Sequence, residues 1–179
     1  GGMSISRTAR PYPSWLIFKP AMFLTSFLLI KYWYLNRDII MNLNKNYKHI
    51  KKIIFFGIGS AVALSIHSIF LGIDFENNLY KLFRRVIMLV FILFEVTAQA
   101  YLVTALYFFK NELNKHINSK ILKLKMILVS ILIIVAIIAI PIISWPGNTF
   151  KFVKHALEWD YFIGVITFYL LTFFMWKKI

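Results

Sequence analysis

Five long apolar stretches, separated by short polar ones, dominate the chain. They cover roughly 14–35 (SWLIFKPAMFLTSFLLIKYWYL), 53–73 (IIFFGIGSAVALSIHSIFLGI), 83–109 (FRRVIMLVFILFEVTAQAYLVTALYFF), 124–145 (LKMILVSILIIVAIIAIPIISW) and 157–176 (LEWDYFIGVITFYLLTFFMW). About 20 helical residues, rising about 1.5 Å each, span about 30 Å of hydrocarbon, so each stretch is long enough to cross a bilayer. The expected fold is an all-α integral membrane protein, a bundle of five transmembrane helices. No charge-rich insert, Pro/Gly/Ser linker or clear repeat interrupts residues 3–179, which read as one transmembrane domain. Gly1-Gly2, ahead of Met3, read as a cloning scar. The first stretch is not a cleavable signal peptide, being too long, with Lys19-Pro20 near its start and no small-residue cleavage site after it. Pro20 falls in its first turns, where a missing amide donor is tolerated; Pro141, deep in the fourth stretch, predicts a kink.

Composition agrees with the pattern. Hydrophobic residues make up 60% of the chain and charged ones 16%. A soluble domain is about half apolar and about a quarter charged, so part of the solvent here must be lipid. The net charge of +14 would point to nucleic acid in a soluble protein. Here the cations lie in loops beside apolar segments, where anionic lipid head groups attract them. The runs Lys45 to Lys52 and Lys110 to Lys125 are therefore read as basic loops touching membrane lipids, with no nucleic-acid partner. With no cysteine, disulfides, thiolate metal sites and iron–sulfur clusters are excluded. Heavy use of Ile, Lys, Asn and Phe points to an AT-rich microbial genome, and a microbial plasma membrane is the expected location.

Orientation follows from the distribution of basic residues. With five crossings, one side carries Arg7, Arg10, Lys19, Lys81, Arg84, Arg85, Lys151 and Lys154, which is 8; the remaining 13 of the 21 lie on the other. The positive-inside rule places the N-terminus outside and the C-terminus in the cytoplasm. Trp15 and Trp145 then mark the outer interface, and Tyr32, Trp33, Tyr34 and Trp176 the inner one. Gly57, Gly59 and Ala63 offer a small-residue strip where a neighbouring helix can approach closely.

Glu95 is the sharpest chemical signal. It lies twelve residues after Phe83, about 18 Å into the third helix and near mid-membrane. An acid at that depth is costly and calls for a partner facing the bundle interior. Gln99, four residues on, shares its face. Two readings stand: a proton-coupled or head-group site, or a neutral Glu that holds helices together. His67, between Ser65 and Ser68 on the second helix, is a further candidate ligand-binding residue. The start of the last helix, KHALEWDYF, brings His155, Glu158, Trp159 and Asp160 to the outer side. Acids in a first turn complement the helix dipole, which accounts for Glu158 and Asp160 by itself. Alternatively they join Arg84, Arg85, Asp74 and Glu76 in a polar mouth that recognises a lipid head group. His155-x-x-Glu158 alone is too little for a metal, and no cofactor is expected. H-E-x-x-H, G-x-S-x-G and P-loop patterns are missing, so catalysis has no support.

The succession KKIIFFGIGSAVALSIHSIF, FEVTAQAYLVTALYF, an Ile-rich helix and HALEWDYFIGVITFYLLTFF resembles the Frag1/DRAM/Sfk1 family of membrane proteins. Members have six helices with both termini cytoplasmic, and this chain matches the last five. His155, Glu158 and Trp159 are the matching residues, and the resemblance implies handling or organisation of membrane lipid. The leading expectation is thus a non-enzymatic protein that binds, organises or moves lipid. Two alternatives are a proton-coupled transporter or channel using Glu95, and a membrane subunit of a larger complex. A homo-oligomer or a partner membrane protein is compatible with each.

Overall fold

A computed structural model describes residues 13–70, 78–144 and 151–177. Five helices account for most of them: α1 (Ser14–Leu43), α2 (Ile50–Phe70), α3 (Asn78–Phe108), α4 (Ser119–Ser144) and α5 (Lys151–Met175). Each contains a run long and apolar enough to cross a membrane, and five such helices suggest an integral membrane protein. The outward faces fit that reading. Ile17 is 76% exposed, Phe55 64%, Ile137 63% and Phe173 73%, an apolar exterior that water would not tolerate. Among the described residues there is no strand, only an isolated bridge between Ile117 and Trp176.

The helices pack in chain order, α2 between α1 and α3, and α4 between α3 and α5. The circuit closes from α5 back to α1 through long side chains instead of close backbone packing. The Tyr32 ring stands edge-on to Tyr169 at 5.0 Å, and the Tyr32 hydroxyl lies 3.3 Å from that of Thr172. Inside, Trp33, Ile53, Leu102, Leu106, Phe168 and Met175 belong to one buried cluster.

Several boundaries differ from the hydropathy reading. α1 runs to Leu43 instead of ending near 35 because one face stays buried: Asn36 is 5% exposed and Ile40 0%. The polar residues that end the apolar run are satisfied locally. Asn36 donates to the Tyr32 carbonyl at 2.8 Å, and Arg37 pairs with Asp38 at 2.8 Å. α4 begins at Ser119, five residues before the predicted start, with the Asn118 side chain accepting from the Lys120 amide at 3.0 Å. α3 and α5 likewise start earlier than expected.

The lysine-rich end is tied shut. Tyr47 packs edge-on to Phe109 at 5.4 Å, and His49 lies 5.5 Å from the Tyr101 ring. The Asn118 amide donates to the Met175 carbonyl at 2.8 Å, and the Lys177 amide to His116 at 2.9 Å, joining the α3–α4 loop to the end of α5.

Two interface markers are corrected. Trp33 is 0% exposed and sits in the bundle, and Tyr32 is turned inward to α5; of the Tyr32–Trp33–Tyr34 run only Tyr34 is exposed. Trp145 lies outside the described residues, as does the side chain of Trp15. The small-residue strip serves two neighbours. Gly57 receives the Trp33 ring of α1, and Gly59 the Phe94 ring of α3; a Cβ at either would sit 2.4 Å from ring carbon. At Gly164 a Cβ would meet only a Leu132 methyl, at 2.5 Å, which a rotamer change relieves. Gly57→Ala is therefore expected to destabilise the protein by about 1–3 kcal/mol, since the buried Trp33 has nowhere to go, and Gly164→Ala by clearly less. Thermal melts of the two variants in one detergent check the order.

Candidate functional site, a buried polar core

Glu95 lies midway along the apolar run Leu82–Phe108 and is 0% exposed. Lipid offers no hydrogen bonds, so the protein must supply them. Three helices do so. The Ser60 hydroxyl of α2 lies 2.7 Å from Glu95 Oε2, Gln99 Nε2 of α3 donates to Oε1 at 2.9 Å, and the Tyr169 hydroxyl of α5 also donates to Oε1. Gln99 is in reach because residues four apart share a helix face. Ser60 is in reach because Gly57 and Gly59, just before it in the chain, leave room for side chains of α1 and α3.

The Ser60 hydroxyl also lies 2.8 Å from the Gly57 carbonyl, yet it has one proton. Two arrangements satisfy this pair. With Glu95 ionised, Ser60 donates to Oε2. With Glu95 protonated, Oε2–H donates to Ser60 and the Ser60 proton turns to Gly57. The core therefore holds either charge state of Glu95 with a hydroxyl rotation alone.

A second polar centre lies near the lysine-rich end. Lys125, six residues into α4, is 0% exposed. Its ammonium donates to Thr172 Oγ1 at 2.6 Å and lies 3.9 Å from the centre of the Phe168 ring. Thr172 donates its own proton to the Phe168 carbonyl at 3.0 Å, and the Tyr32 hydroxyl lies 3.3 Å from Thr172 Oγ1. Among the described residues no carboxylate pairs with Lys125. This corrects its assignment to a lipid-facing basic loop, because α4 starts early enough to carry it inside. Lys120 and Lys123 are exposed as expected. Two further buried polar atoms, Trp33 Nε1 and Gln99 Oε1, have no hydrogen-bond partner.

Of the residues singled out in the sequence, Glu95 and Gln99 are brought together. His67 is half-buried on α2, seven residues and about 10 Å of rise beyond Ser60, away from the Glu95 contacts. Tyr161 donates to the Ile92 carbonyl at 3.4 Å and Tyr169 to Glu95, so α3 and α5 run in the same direction. Arg84 and Arg85 consequently share one end of the bundle with His155, Trp159 and Asp160. Arg85, Trp159 and Asp160 are exposed, and among the described residues no ion pair joins Arg85 to Asp160. Asp74, Glu76 and the Glu158 side chain lie outside the described residues. No group of three His, Asp or Glu among the described residues is placed to hold a metal.

Tyr169, Thr172 and Ser60 were not marked by sequence reasoning, and Tyr32 and Lys125 were read as an interface marker and a loop cation. For Lys125 a signal existed. Leu122, Val129, Leu132 and Ala136 fall at i−3, i+4, i+7 and i+11 from it, and all are buried. Helical spacing thus puts Lys125 on the buried stripe of α4. The tyrosines carry no such mark, since their hydroxyls acquire meaning only from what faces them.

No family model, curated protein or solved structure matches the chain.

Two substitutions separate the two centres. Ser60→Ala removes a donor from a buried carboxylate and is expected to cost about 1 kcal/mol of stability. Lys125→Met removes a buried ion that has no charged partner, and is expected to melt at the wild-type temperature or above it. Differential scanning fluorimetry of both variants reads the contrast; a large loss in Lys125→Met would show that its charge holds the bundle together.

Proposed function

We propose that this is a multi-pass membrane protein of the transporter class, in which Glu95 takes up and releases a proton at the centre of the bundle. The observation that carries this is the Ser60–Glu95 pair, whose single hydroxyl proton serves two acceptors and so suits both charge states of an acid at mid-membrane. A neutral Glu95 acting only as helix glue would need the protonated arrangement alone, and an uncharged residue would glue more cheaply. Polar groups from all five helices converge on this core, so a change of charge at Glu95 reaches each of them through contacts already made.

Lipid handling at the other end of the bundle is a second reading. It is favoured by Arg85, Trp159 and Asp160, which are exposed at the same end as Arg84 and His155, and by the resemblance to Frag1/DRAM/Sfk1 proteins around His155, Glu158 and Trp159. The lysine-rich end would then face the cytoplasm.

Proton flux into proteoliposomes under an imposed pH gradient tests the first reading. Wild type is expected to exceed empty liposomes, and Glu95→Gln to cut the excess at least about tenfold while remaining folded. Equal flux in wild type and Glu95→Gln would return Glu95 to a structural role. For the second reading, Trp159→Ala is expected to reduce the lipid that co-purifies with the protein, measured by native mass spectrometry, without lowering the melting temperature.

A further inference from the structure

We infer that Lys125 anchors a singly charged oxyanion of the phosphodiester type, and that this anion is the species carried with the Glu95 proton. The inference rests on the proton-coupled reading and adds a substrate class to it. An ammonium has three N–H donors, and in a dry bundle each needs an acceptor or a counter-charge. Lys125 has the Thr172 hydroxyl at 2.6 Å and the Phe168 ring at 3.9 Å, and no carboxylate partner among the described residues. One donor direction is met by a hydrogen bond and another by a ring face, which leaves the positive charge itself unmatched.

The neighbours suit an oxyanion with two free oxygens. One would take the Lys125 ammonium. The other would take the Tyr32 hydroxyl, which now lies 3.3 Å from a Thr172 oxygen already engaged by Lys125. Thr172 would keep its bond to the Phe168 carbonyl. Access is provided by the same residues. α1 and α5 meet here through Tyr32 against Tyr169 and Thr172, not through close-packed backbones, so side-chain rotation opens the seam. Lys125 stands about 9 Å along α4 from Ser119, and Thr172 three residues before the end of α5, close to the lysine-rich surface.

Coupling to the proton follows from the geometry. Glu95 is bonded to Tyr169, one turn of α5 from Thr172. The groups facing Glu95 are Ser60 from α2, Gln99 from its own helix, Tyr169 and Tyr161 from α5, and Tyr32 from α1; none of them is a cation. Lys125 is the buried cation of α4. An ionised Glu95 repels an incoming anion through the low-dielectric core, and protonation removes the repulsion. Proton and anion then bind with mutual reinforcement, each raising affinity for the other by the same factor.

The test uses dimethyl phosphate, a soluble phosphodiester that keeps one negative charge from acidic to mildly alkaline buffer, with protein in phosphatidylcholine nanodiscs. A parallel arm adds phosphatidylglycerol to the nanodiscs and reads retained lipid by native mass spectrometry. Dimethyl phosphate is expected to bind at least about tenfold tighter in acid than in alkali. Lys125→Met should abolish binding, Lys125→Arg should preserve it, and Glu95→Gln should shrink the acid-to-alkali affinity ratio. Lys125-dependent retention of phosphatidylglycerol without dimethyl phosphate binding supports the site and identifies the lipid as its source. Binding of neither, or binding unchanged in a folded Lys125→Met variant, overturns the inference. If anion binding depends on Lys125 but proton flux does not depend on Glu95, the proton-coupled reading fails and the anion site stands. Flux that depends on Glu95 with no anion bound has the opposite meaning.

Discussion

The rest of the bundle is arranged around one requirement, that a carboxyl group buried midway along an apolar helix be surrounded by hydrogen-bond donors. Glu95 cannot borrow them from lipid, so Ser60, Gln99 and Tyr169 must face it at once. That condition sets the rotation of α2, α3 and α5 about their axes far more tightly than apolar packing can, because lipid-facing and core-facing surfaces here are both made of Ile, Leu and Phe. Gly57 and Gly59 make it achievable, since a side chain at either would push away the ring of Trp33 or Phe94 and with it α1 or α3.

Glu95 and Lys125, both buried, are treated very differently. Three donors converge on the acid, and its hydroxyl partner Ser60 adapts to either charge. The base has one hydroxyl and one ring face. Burying an ion is costly in either case, and the usual compensation is to pair the two. Here Glu95 and Lys125 have separate partners one turn apart on α5, so the core has two polar centres instead of one salt bridge. A bundle built only for stability would have joined them or replaced both with apolar residues.

Tight and loose contacts are also distributed unevenly around the circuit. α1, α2 and α3 pack closely, and the lysine-rich end is tied by Asn118 to Met175 and by Lys177 to His116. Between α1 and α5 the contact is made by Tyr32, Tyr169 and Thr172 side chains, the same groups that link the two polar centres. The most loosely packed part of the wall is thus the part that links the two polar centres.

The five long apolar helices were legible in the sequence. Runs of apolar residues of membrane-crossing length announce helices whatever their neighbours, because in lipid the helix is how a single segment satisfies its own backbone. Glu95 and Gln99 were legible for the same reason, since a polar residue in such a run is costly wherever it points. Helix ends were not. Asn36 to Asp38 and Lys120 to Lys125 lower the local hydropathy; helical spacing pointed Lys125 inward, and the packed structure shows that Asn36 and Lys125 are buried while Arg37 and Lys123 are not. Tyr32, Trp33, Tyr169 and Thr172 had the composition of an interface or a core, and their roles were decided by which helix lay opposite. By itself the sequence determined how many helices there are and which acid must be satisfied. The tertiary structure decided what satisfies it, because a hydroxyl or an amine becomes a partner only when another helix brings it within hydrogen-bond distance.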